Sequence, residues 1–461
     1  MTVSQSASDL ATWNPEDPTQ WKSRQAWLTL WVTTFSLILG FMVWYLVSVV
    51  APMLQNAQVV DKTQALWLTS MPGLAGGLLR LVWMFLPPMM GTRRMVSWST
   101  VALCVPMVGW LWLLMSGLEG LKGAFGLMMV LAFLTGIGGG IFSGYMPSTS
   151  YFFPKAKQGV ALGIQAGVGN FGVSIVQLLA PVLVGIGVFG AGAVIPKAKA
   201  DAQGLTYPQT APAFILVLLV IAAVLAFVFL KSVPVKANFR QQFDIFRNPH
   251  TWLMTLIYLL TFGCFSGLAG TFGVMLNQMV PSVPTVAWLG GTTIAFLGAF
   301  IGSLSRVLWG PLCDRHGGGI WTFVASLGIG ASAAIVILAL SQTQSIPAVP
   351  GQVAQCEVPL GLFLTGMLLL FFFAGIGNAA TFKQMPMIFP PRQAGGVIGW
   401  TAAIAAFGPF IFSSTMNALS GASGNFGQKI IPVFVVVLVL ALVCAVIDWW
   451  FYTRRGAPAK S

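Results

Sequence analysis

Twelve apolar runs, each long enough to cross a bilayer as a helix, follow one another along 461 residues. A helix needs about 20 predominantly apolar residues to span the hydrocarbon, and with no water there to satisfy backbone N–H and C=O groups, a helix is the form such runs must take. They fall near residues 26–51, 64–90, 95–116, 124–150, 160–189, 211–232, 250–276, 285–312, 320–341, 358–389, 395–418 and 430–452. Only 7% of the chain is charged, against roughly a quarter in soluble domains. The fold class is therefore an all-α membrane protein.

The 23 Lys and Arg residues orient the spans. Fifteen fall on one side: Lys22, Arg24, Arg93, Arg94, Lys155, Lys157, Lys231, Lys236, Arg240, Arg247, Arg315, Arg392, Arg454, Arg455 and Lys460. Five fall on the other: Lys62, Lys122, Lys197, Lys199 and Lys429. Basic loops stay in the cytoplasm, so both termini are expected to be cytoplasmic in a multi-pass protein of the cell inner (cytoplasmic) membrane. The net charge of +13 would suggest nucleic acid in a soluble chain, but the basic residues occur in small groups between apolar runs and form no basic face. Nucleic acid is excluded as a partner. The first 25 residues lack the apolar core and cleavage site of a signal peptide, which predicts a retained N-terminus. The five cysteines are scattered without metal-ligand spacing and read as small apolar packing groups.

The halves repeat. "GGLLRLVW" (Gly76 to Trp83) in span two matches "GSLSRVLW" (Gly302 to Trp309) in span eight at Gly76/Gly302, Leu78/Leu304, Arg80/Arg306 and Trp83/Trp309. "GIGGGIFSGYMP" in span four and "GIGNAATFKQMP" in span ten share their ends at identical spacing, and "NFG" in span five meets "AFG" in span eleven. Two parallel six-helix repeats with a site between them define the major facilitator architecture. The expected division is a tail over 1–25, a six-helix bundle over 26–232, a cytoplasmic linker over 233–249, a second bundle over 250–452 and a tail over 453–461. After span eight, "GPLCDRHGG" resembles the facilitator-superfamily loop pattern G-x-x-x-D-R-x-G-G, with Asp314 and Arg315 in the characteristic places.

Three cations lie inside spans: Arg80, Arg306 and Lys383. All ten acids fall in tails, loops or span ends, so no carboxylate is expected to pair with these cations. Intramembrane charge marks function, and the repeat places the two arginines at equivalent positions, which predicts guanidinium groups facing one another across a central cavity. Arginine keeps its proton, and its planar fork matches planar oxyanions. The missing acid is then the substrate. Asn170 and Asn378 add amide donors suited to an anion, and Phe142, Tyr258 and Phe262 are placed to wall a small flat ion. Glycine clusters such as "GIGGG" and "GVGNFG" let helices approach closely.

With "GLLRLVWMF", "YFFPKAKQGVALGIQAGVGNFGVSIVQLLAP", "YLLTFG" and "SLSRVLWGPLCDRHGG", the chain resembles the NarK-type nitrate/nitrite porters of the major facilitators over nearly its whole length. The resemblance implies nitrate and nitrite as substrates, clamped by Arg80 and Arg306, bound also by Asn170 and sandwiched by Phe142, Tyr258 and Phe262. "AGVGNFG", with Gly167, Gly169 and Gly172, resembles the family's nitrate signature; its span-eleven counterpart, "GWTAAIAAFGPF", is poorer in glycine. The long charged insertion of some exchange-type relatives between spans ten and eleven is replaced by "PPRQAGG".

Two coupling modes follow. Two fixed cations in an empty cavity resist closure, since occluding unpaired charge costs several kcal/mol each; movement only when loaded gives nitrate/nitrite antiport. If Lys383 faces the cavity and titrates, nitrate moves with a proton, and the short connection between spans ten and eleven tilts the reading toward this symport. A passive anion channel is the alternative from another class. No nucleophile, paired carboxylates or metal cluster suggests an enzyme, and no cofactor, metal or obligate protein partner is implied beyond the anions, protons under symport, and the surrounding lipid.

Overall fold

The computed structural model describes residues 10, 12–185, 195–196, 205–233, 243–282, 285–286, 292–347, 353–354, 356–421 and 424–461. The linker residues 234–242, with Lys236 and Arg240, and Lys197 and Lys199 of the fifth connection lie outside them. Among the described residues, twelve helices are long and apolar enough to cross a membrane. They are α1 (Ser23–Asn56), α2 (Lys62–Trp83), α3 (Thr92–Met115), α4 (Phe125–Ser150), α5 (Lys157–Val184), α6 (Thr210–Phe229), α7 (Pro249–Met279), α8 (Phe296–His316), α9 (Gly318–Ser341), α10 (Leu360–Ile388), α11 (Gln393–Ser420) and α12 (Phe426–Thr453).

The even number returns the chain to its starting side, here the near side; the opposite one is the far side. Three antiparallel ladders of two residues per strand tie far-side connections: Ile195–Pro196 with Leu205–Thr206, Thr285–Val286 with Thr292–Thr293, and Gln344–Ser345 with Cys356–Glu357. The second corrects the sequence-based limits of span eight. That span was expected from residue 285, but 285–286 and 292–293 pair as short strands and the helix begins at Phe296. Length and hydropathy do not separate short paired strands from the first turns of a helix.

Burial sorts the helices. In the most apolar stretch of each, 78% of α1 and 83% of α7 residues are buried, against 39% in α6 and in α12. The outer helices turn Val220, Val224, Val228, Val436, Val439 and Val446 outward, the surface that lipid covers. Across the midline α2 packs on α11, α5 on α8 and α1 on α7. Within each half, crossings are close where side chains are missing. A Cβ at Gly172 would strike the Ile38 carbonyl of α1, and one at Gly375 the Gly302 carbonyl of α8.

On the far side the halves are latched by hydrogen bonds. The Tyr45 hydroxyl donates to the Ser266 carbonyl at 2.9 Å, Gln177 Nε2 to the Ala269 carbonyl at 2.8 Å, and the Thr69 and Ser413 hydroxyls share a bond of 3.1 Å. On the near side, positions 159 and 163 of α5 and 310 of α8 have open space where a Cβ would stand. The cross-half bonds close the far side.

Candidate functional site

Three helices around the midline depart from α geometry. α4 is broken at Gly136 and Ile141, α11 at Ala406 and Phe407, and α7 contains a π turn over Leu259–Gly263. Such turns insert a residue into the helical ladder and recur at functional sites. Here the π turn brings Tyr258 and Phe262 into parallel stacking, with centroids 5.4 Å apart and planes 3° apart.

Arg80 is fully buried between the halves. Its Nε donates to the Gly139 carbonyl at the α4 break, 2.9 Å away, and its Nη1 to the Ala402 carbonyl just before the α11 break, 2.6 Å away. The guanidinium carbon lies 4.7 Å from the Phe142 ring, 5.1 Å from Phe262 and 5.4 Å from Trp44. Arg306 is 5% exposed and lies 4.9 Å from the ring of Phe382. Phe142 and Phe382 meet edge to face at 6.3 Å, and Tyr258 packs on Phe382 at 5.3 Å. Each half thus presents one arginine over one phenylalanine, with the two phenylalanines in contact at the midline.

The repeat that flagged these arginines has a packing basis. A Cβ at Gly76 would meet the Trp44 ring of α1, and one at Gly302 the Phe265 ring of α7. In each half the glycine before the arginine leaves room for an aromatic of that half's first helix.

No ion pair among the described residues engages either arginine. Arg80 Nη2, Arg306 Nη1 and both amide atoms of Asn170 and Asn378 are buried without hydrogen-bond partners among the described residues, while the Tyr258 hydroxyl faces the Arg306 guanidinium. A buried donor left unmade costs roughly 1–3 kcal/mol, more if charged. Tyr258 is in electrostatic reach of both guanidinium groups. Asn170 stands one turn from Gly167, whose Cβ would meet Val307 beside Arg306; Asn378 stands one turn before Phe382. Gly169 and Gly172 abut Leu37 and Ile38 of α1, so those two glycines form the α1–α5 crossing.

Lys383 departs from the expectation that it stands without a carboxylate. Its Nζ lies 2.7 Å from Asp314 Oδ1 in the last turn of α8, and both side chains are partly exposed, at 38% and 58%. The long side chain reaches the near-side surface and stays hydrated beside its partner. Arg315 is exposed in the same turn. The one fully buried carboxylate in a described span, Asp448, accepts from Gln384 at 2.8 Å and from Thr453 at 2.7 Å near the near-side end of α12, so it is satisfied away from the arginines. Among the described residues no cluster suits a metal ion.

Sequence reading missed Phe382, Trp44 and the Ala402 carbonyl. Phe382 faces Ser143 in the repeat alignment, one place from Phe142, and its signal was helical spacing from Asn378. The carbonyl carries no side-chain signal.

Two repeats of six spanning helices around a buried, doubly cationic midline site define a secondary transporter. The Major Facilitator Superfamily profile matches residues 33–354. The probable nitrate/nitrite antiporter NarK2 of Thermus thermophilus is 46% identical over 452 residues, 97% of each chain, and the nitrate/nitrite transporter NarU of Escherichia coli is 31% identical over 98% of this chain and 97% of its own. In structure the chain is similar to a D-xylose-proton symporter, with a TM-score of 0.64, 14% identity and coverage of 92% and 97%. It is similar also to a bacterial homolog of the human lysosomal transporter Spinster, inward-facing and unoccupied, at 0.63, 14%, 93% and 97%. The chain belongs to the major facilitator superfamily and, within it, to the NarK-type nitrate/nitrite porters.

Proposed function

We propose that this transporter exchanges nitrate for nitrite across the cytoplasmic membrane by alternating access, holding the anion between Arg80 and Arg306. The observation that carries the reading is the pair of buried arginines, one per half, each with a free N–H donor and neither with a carboxylate. A planar monovalent oxyanion accepts from both forks at once, and Tyr258 and Asn170 supply further donors of matching kind. The rings of Phe142, Phe262 and Phe382 hold the guanidinium groups by cation–π contact and exclude water, which strengthens each charge-assisted bond.

Exchange is favoured over symport by Lys383. The proton relay required it in the cavity, whereas it is engaged with Asp314 at the surface. Without a titrating group at the site, two fixed cations and one anion set the rule that the empty carrier does not reorient. The relatives' printed names, nitrate/nitrite antiporter and nitrate/nitrite transporter, support the substrates. The count of basic residues supports a cytoplasmic near side.

The test is nitrate uptake into proteoliposomes, driven either by internal nitrite or by a pH gradient alone. Exchange predicts uptake with nitrite inside and none with the gradient; the reverse result rejects it.

A further inference from the structure

Few cations stand on the far side, yet two of them converge there across the midline. Of the five far-side lysines, Lys122 pairs with Glu119 at 3.5 Å. Lys62 opens α2 in the first half, and Lys429 lies in the first turns of α12 in the second. Lys62 is 9% exposed, and its ammonium lies 5.8 Å from the ring of Phe426, one turn before Lys429, whose charge it feels. Lys429 donates to the Ser420 carbonyl at 3.0 Å, whereas the Lys62 ammonium is buried without a hydrogen-bond partner.

The setting disfavours a lone cation despite the adjoining Asp61 carboxylate. Burial removes its water, Lys429 repels it, and the N-terminus of α2 points its positive dipole end at it. Asp61, the neighbouring acid, is occupied in capping: its carboxylate accepts from the Gln64 amide at 2.8 Å. Alongside lies a cleft of about 450 Å³ lined by Gln55, Asp61, Lys62, Gln64 and Gln278, among others. Gln278 Nε2, on α7 of the other half, is likewise buried and without a partner. The ammonium, the amide N–H and the helix N-terminus border this cleft together with the Asp61 carboxylate and the Gln55 Oε1 acceptor, so its donors come from both halves and its one acid is the capping Asp61.

We infer that this far-side cleft is a second anion-binding site, built from Lys62 and Gln278 with Lys429 as the added field, and that it takes a small monovalent anion of the kind transported. It spans both halves while the far side is closed, so the bound anion joins two like charges across the seam. It is separate from the midline site, since Lys62 and Arg80 are eighteen residues apart on one helix, about 27 Å at 1.5 Å per residue.

Nitrate titration calorimetry on the purified full-length chain tests it. Wild type should bind two nitrates per chain, Lys62→Met one, and Lys62→Arg two. Lys429→Met should weaken the weaker site by roughly tenfold. In an Arg80→Lys/Arg306→Lys background one nitrate should remain and be lost on adding Lys62→Met, which separates this site from the midline clamp. A melting temperature within the wild-type range shows that Lys62→Met is folded; should it not be, Lys62→Gln takes its place. Equal stoichiometry with and without the Lys62 change overturns the inference.

Discussion

Arg80 bonds both halves of the molecule, through Nε to Gly139 of its own half and through Nη1 to Ala402 of the other. Nη2 is the nitrogen left wholly without a partner and so is free for an anion. A lysine at this position has one nitrogen and no fork, so it cannot hold the seam and the substrate together. Hydrogen bonds to charged groups are worth about 1.5–3 kcal/mol each, and two are lost. Arg80→Lys should lower the nitrate kcat/KM at least a hundredfold in proteoliposomes, with the protein still folded.

Phe382 supports Arg306 as Phe142 supports Arg80. A desolvated cation–π contact is worth up to about 2 kcal/mol. Phe382→Ala should therefore weaken nitrate binding by roughly ten- to thirtyfold, and Phe382→Tyr, which keeps the ring face, should restore most of it. Equal loss in both variants would contradict the ring-face contact with Arg306.

The Lys383–Asp314 pair is partly exposed, and pairs of that kind contribute about 0–1 kcal/mol. Lys383→Gln should leave nitrite-driven nitrate uptake within about threefold of wild type and confer no new dependence on pH. A loss of pH-gradient-driven uptake on that change, where wild type shows such uptake, would return Lys383 to a coupling role.

Glycines on one helix should differ sharply. Gly172→Ala places a methyl group against the Ile38 carbonyl, whereas position 163 opens on free space. Overpacking a close crossing costs about 1–3 kcal/mol, so Gly172→Ala should lower the melting temperature and Gly163→Ala should not. Thermal unfolding in detergent reads both.

The twelve spans were legible because each writes its length and hydropathy into consecutive residues, and the two arginines because the repeat made them stand out against hydrocarbon. What stayed hidden lies in geometry that residue identity does not carry. The Ala402 carbonyl belongs to a residue with no polar side chain. Phe382 is offset by one place from its counterpart, since the repeat aligns segments and not ring positions. The Tyr258–Phe262 stack follows from a π turn that no propensity signals. The partner of Lys383 stayed hidden, and whether it faces the cavity stayed open, because a span assignment says how deep a Cα lies, not where a flexible four-carbon side chain ends.

Nitrate affinity of Arg80→Lys and Arg306→Lys, measured side by side by calorimetry on the purified chain, tests the clamp most directly. Both variants should lose midline binding by about a hundredfold or more, because each half supplies one arm. Wild-type affinity at that site in either variant would contradict the two-armed clamp.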